Sequence, residues 1–192
     1  GLAAPIHREE VFRETGLHRY SVATRNGAPL FNAHTAGKVV IAADPATLTE
    51  TPIEEVIATG AGSFASTGSL RMIGMEKRAA MKVTLKVTGP GQAISGIPVV
   101  EVTADVALQV PPPMGRIESR VKGYLMPDLG YYITGELMGG TFFDAARTPH
   151  RPMALSLPGS TGFQTTKPAY CGGGLGLLDP ALTPAPALGG AA

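Results

Sequence analysis

The sequence predicts an all-β protein, a small antiparallel β-barrel or β-sandwich of roughly eight strands with extended N- and C-terminal arms. Three observations carry this. Residues 81–88 and 100–110 alternate strictly between apolar and polar side chains. Turn chemistry sits where hairpins need it, at Asn26-Gly27 and at Pro127-Asp-Leu-Gly130. No stretch carries the periodicity of a long amphipathic helix.

Residues 1–18 carry two of the four histidines and a cluster of charge, including His7, Arg8, Glu9, Glu10 and Arg13, and read as an N-terminal arm or a short helix around Glu9 to Glu14. The β domain is assigned to residues 19–160. It opens with a hairpin around Asn26-Gly27, flanked by Tyr20 and Phe31. Residues 38–42 are a further strand, and Asp44-Pro45 starts a short helical turn. Residues 56–75 are rich in Gly and Ser and fit strands with bulges.

Two hairpins follow. In the first, Met81, Val83, Leu85 and Val87 share a face with Val100, Val102, Ala104, Val106, Leu108 and Val110, and residues 89–96 form the turn. The expected register sets Thr84 opposite Glu101 and Lys82 opposite Thr103. In the second, Ile117, Val121 and Leu125 match Tyr131, Ile133, Gly135 and Leu137, which places Arg120 opposite Glu136. A four-residue loop at 127–130 would shift this pairing by one and mix the faces, so the hydrophobic pattern is given precedence. Phe142-Phe143 and residues 153–157 are expected to close the sheet.

Residues 161–192 form a Gly-, Pro- and Ala-rich C-terminal extension whose only charges are Lys167 and Asp179, with little means of building a core. It needs a partner, either the chain's own barrel or a neighbouring subunit, so self-association through the terminal arms is expected.

Composition limits the chemistry. The 192 residues hold 16 Lys and Arg against 15 Asp and Glu, a formal charge of +1, which argues against nucleic acid as a partner. No apolar run reaches the length of a membrane-spanning helix. The single cysteine, Cys171, excludes an internal disulfide. His7, His18, His34 and His150 show no metal-ligand spacing, so neither metal nor cofactor is expected. The segment Gly60-Ala-Gly62-Ser-Phe-Ala65 has the G-x-G-x-x-A spacing of a dinucleotide loop, but Ser66-Thr-Gly-Ser69 after it is poor helix material. Glycines in a twisted or bulged strand explain it better.

One constellation points to a ligand. Ser119 and Tyr131 interrupt the apolar face of the second hairpin, Ile133 and Leu137 supply apolar lining, and Gly123 and Gly135 leave room. His150 lies in a Pro-rich loop placed to reach a barrel mouth. Small barrels that hold one ligand are lined in this way. The expected function is therefore binding of a small apolar molecule, as a carrier or a cofactor-free isomerase or cyclase. The alternative is a structural subunit of a homo-oligomeric assembly whose arms dock on neighbours.

Overall fold

The computed structural model describes residues 6–13, 16–34, 38–72 and 74–140. They form one nearly closed antiparallel sheet that curls into a barrel. In chain order the strands are β1 (Ile6–Arg13), β2 (Gly16–Thr24), β3 (Pro29–His34), β4 (Val39–Ala43), β5 (Thr49–Glu50), β6 (Ala61–Met72), β7 (Met75–Pro90), β8 (Val100–Val110), β9 (Gly115–Met126) and β10 (Tyr131–Gly140). Among the described residues one α-helix forms, α1 (Ile53–Thr59), between β5 and β6. Each strand pairs with its sequence neighbour, except that the two-residue β5 lies beside β6 while β6 also pairs with β4. The all-β reading holds, as a barrel of more strands than expected.

Part of that excess comes from the N-terminus. Residues 6–13 form strand β1, paired along its length with β2, rather than the helix considered for residues 9–14. The Asn26-Gly27 hairpin forms as expected. Gly27 takes φ 84°, and its amide donates to the Thr24 carbonyl, a geometry glycine adopts without steric cost. Asp44 caps the 3-10 turn Pro45–Thr47 by accepting from the Ala46 amide at 3.0 Å.

The hairpin of β7 and β8 keeps its faces but not the expected register. Thr84 pairs with Asp105 and Lys82 with Ala107, a slide of four residues. β7 continues to Pro90, and residues 91–99 make the connection instead of 89–96. Within that connection Ile94 bridges Ile97, with Ser95 and Gly96 at the tip at φ 52° and 79°. Ile94 and Val99 are buried against Tyr124 and Met126. An even slide leaves every apolar side chain on its face, so alternation alone cannot choose between the two registers. Burial of the connection's own apolar residues does.

The hairpin of β9 and β10 corrects the second expected register. The turn Pro127–Leu129 with Gly130 sets Tyr131 opposite Met126 and Thr134 opposite Gly123, the pairing of the four-residue loop. Irregularities between Thr134 and Leu137 and between Leu137 and Gly139 then advance the register, and Leu137 comes opposite Val121. Turn geometry therefore wins near the turn. The irregularity restores the hydrophobic phase further along, as a bulge does. Arg120 pairs with Gly139, not Glu136, and forms an ion pair with Asp105 at 2.6 Å.

The interior is built from two apolar clusters. At one end Phe64, Val83, Leu85, Val102, Ala104 and Leu125 pack with Ala28 and with Ile53 and Val56 of α1. At the other, Val39, Leu70, Ala79, Leu108 and Val110 pack together. The helix is thus a plug over one barrel end. Pro52 precedes it, Glu54 and Glu55 lie in its first turn, and Gly60 ends it at φ 79°. Gly60 and Gly62, the first two glycines of the dinucleotide-like spacing, have structural duties. The helix comes before the glycines rather than after them, and a side chain at Gly62 would collide with Val56.

Candidate functional site

The ladder shows which side chains share the core side of the sheet. Glu9 pairs with Ser21, Ser21 with Asn32, Asn32 with Ile41, and Ile41 with Leu70, one continuous row. Directly paired residues point to the same face. Leu70 and Ile41 belong to an interior cluster, so Glu9, Ser21 and Asn32 face the interior too. The neighbouring row adds Arg19 and His34 beside Val39, and His7 lies two residues from Glu9 on the same face. The core side of β1–β3 is therefore polar, whereas that of β7–β9 is almost wholly apolar.

This polar wall is tied together internally. Glu9 Oε2 accepts from Arg19 Nη2 at 2.9 Å and from Ser21 Oγ at 3.0 Å. The Arg19 and Glu9 side chains keep only 17% and 22% of their exposure, so this pair is shielded far more than a surface ion pair. Among the described residues, three buried polar atoms of the wall have no hydrogen-bond partner: His7 Nε2, Arg19 Nε and Asn32 Oδ1. Buried polar atoms are normally satisfied, and leaving one unpaired costs about 1–3 kcal/mol. All three lie on one wall, so the unused hydrogen-bonding capacity is concentrated there.

Tyrosines at the start of β10 bring the far edge of the sheet to this wall. The Tyr131 ring lies on the His7 ring with centroids 4.2 Å apart. Tyr132 packs with the core cluster around Leu85 and Leu125, against Gly123 of β9 and Gly27 of the β2–β3 turn. Burial pushes both phenols up to about 12, and the Glu9 carboxylate adds to the rise. His7 is held below its ordinary value by burial, opposed by a backbone hydrogen bond with Gly130. All three side chains are therefore neutral at neutral pH.

The residues singled out from the sequence separate in space. Ser119 pairs with Val106 and Leu137 with Val121, and both partners pack on the interior cluster, so these two face inward. Tyr131 and Ile133 pack instead with Ile94, Val99, Tyr124 and Met126, outside the interior clusters, and Tyr131, at the start of β10, also touches His7 across the edges of the sheet. The register set by the turn puts Tyr132, not Tyr131, on the interior face. His150 and the extension 161–192 lie outside the described residues. Sequence reading misses His7 and Glu9 because residues 1–18 read as an arm, and misses Arg19, Ser21 and Asn32 because the faces of the first hairpin carry no clean apolar alternation. The alternation of His7 and Glu9 with Arg8 and Glu10 is polar on both faces and gives no hydrophobic signal.

Among the described residues no three His, Cys, Asp or Glu side chains gather as a metal ion would require. No helix there is long and apolar enough to cross a membrane. The chain matches no protein family, no curated protein and no solved structure. The functional reading therefore rests on the site's own geometry.

Proposed function

We propose that the barrel binds a small, mainly apolar molecule between the polar wall of β1–β3 and the apolar wall of β7–β9. The observation that supports this most is the set of unpartnered polar atoms, His7 Nε2, Arg19 Nε and Asn32 Oδ1, on a face continuous with the hydrophobic interior. Ligand sites commonly combine an apolar lining with a few placed polar groups. Ser119 and Leu137, facing inward from β9 and β10, belong to the lining in this reading.

The test is a fluorescence titration of the full chain with the neutral apolar probe N-phenyl-1-naphthylamine. Saturable enhancement at one equivalent is expected. It should weaken in Asn32→Phe, which places a ring on the polar wall, with Asn32→Leu as the milder companion. A linear, unsaturable response in the wild-type chain would sink the reading.

A further inference from the structure

Resting on that reading, we infer that the ligand's polar end is an uncharged group carrying a hydrogen-bond acceptor and a donor side by side, of the carboxamide or lactam class, and not a carboxylate or phosphate. The argument begins with charge. Arg19 is the cation of the polar wall, and Glu9 already neutralises it at 2.9 Å while also holding Ser21. A second anion buried there would face a guanidinium whose charge is spent and a carboxylate that repels it. The Arg19–Glu9 pair offers no net charge of its own.

The unpartnered atoms then set the pattern of the head group. Arg19 Nε–H is a donor and Asn32 Oδ1 an acceptor. Arg19 pairs with His34 and Ser21 with Asn32, so Arg19 and Asn32 are diagonal neighbours across β2 and β3. His7 Nε2, unpartnered as well, lies away from this pair, opposite Ala23 on β2. A carboxamide fits this pair: its carbonyl accepts from Arg19 and its N–H donates to Asn32. An ester satisfies only the donor and leaves Asn32 Oδ1 unpaired. A hydrocarbon satisfies none.

Three probes with one alkyl body separate these cases: octanamide, methyl octanoate and octanoate, titrated calorimetrically into the full chain at neutral pH. Octanamide is expected to bind about tenfold more tightly than methyl octanoate, with octanoate weakest. In Asn32→Leu the advantage of amide over ester should shrink, and Asn32→Ser, which retains a hydroxyl, should keep part of it. Octanoate binding as tightly as octanamide, or all three binding equally, would overturn the head-group inference while leaving a binding barrel. Binding of N-phenyl-1-naphthylamine without binding of octanamide would overturn it in the same way. Failure of that probe and of all three octanoyl compounds would overturn the binding reading itself.

Discussion

The Tyr132 ring of β10 lies directly over Gly123 of β9, so that a methyl group placed on Gly123 would come within 2.6 Å of the phenol oxygen. The same ring reaches Gly27 in the β2–β3 turn, and Ala28 beside it is fully buried in the interior cluster. One aromatic side chain thus joins the last strand to an early hairpin, where the curled sheet comes back towards itself. On the other face of the β9–β10 hairpin the arrangement is reciprocal, with Tyr124 packed over Gly135.

Gly123→Ala should therefore destabilise the protein by about 1–3 kcal/mol, the usual cost of overpacking. The loss should be smaller in a Tyr132→Ala background, because the clash is with that ring. Urea denaturation of the two single variants and the double variant gives the coupling. Additive losses would mean that Gly123 matters for some reason other than Tyr132.

Asn26 supports the helical plug from outside it. Its Oδ1 accepts from the Ile53 amide at 3.3 Å, its Nδ2 donates to Glu50 at 2.9 Å, and Thr24 also donates to Glu50. Pro52 offers no capping side chain, so this remote asparagine takes the part of an N-cap. Asn26→Ala should cost about 1 kcal/mol, visible in the denaturation midpoint. Asn26→Asp, which keeps the acceptor but faces Glu50, should lose more at neutral pH than at low pH.

The two β10 phenols give an alkaline signature. Unfolded tyrosine ionises near 10.0, whereas folding holds Tyr131 and Tyr132 protonated up to about 12. The folded state then binds more protons between those values, so this contribution is intact below pH 10.0 and is lost as pH rises towards about 12. Absorbance of phenolate should show a late-titrating class that loses one member in Tyr131→Phe and one in Tyr132→Phe. Titration of every tyrosine in a single step near 10.0 in the folded protein would contradict the burial described.

His7 acts at the opposite end of the scale. Its value is lowered below 6.5, so below that pH the unfolded chain takes up the proton first. Stability should rise with pH across the window just below 6.5 and be lost as pH falls through it. In His7→Gln the thermal midpoint should vary less between about pH 5 and pH 8. An unchanged slope would place His7 in contact with water rather than against Tyr131 and Gly130.

Much of the sheet was legible because strands declare themselves by alternation. β8 runs from Val100 to Val110 as expected, and β9 differs only by including Gly115. Where alternation is silent, reading failed. In β1 the run His7-Arg-Glu-Glu10 shows no apolar alternation from which its pairing with β2 could be read. Helix α1 did leave a signal: Ile53, Val56 and Ile57 at helical spacing, Pro52 before them, two acids in the first turn and Gly60 after. It is only seven residues long, and the glycines beyond it suggested a bulged strand instead.

The sequence by itself determined the class of fold, the position of the central strands and the face that each of their side chains takes, because a period of two is a local property of an extended chain. Register belonged to the tertiary structure. A slide of four residues between β7 and β8 costs nothing in phase, and the choice fell to Ile94 and Val99 finding cover on Tyr124 and Met126. The candidate site belonged to it as well. His7, Glu9, Arg19, Ser21 and Asn32 meet only when three strands are laid side by side. Hydrogen bonds left open on that wall acquire meaning only because the sheet curls to bury them.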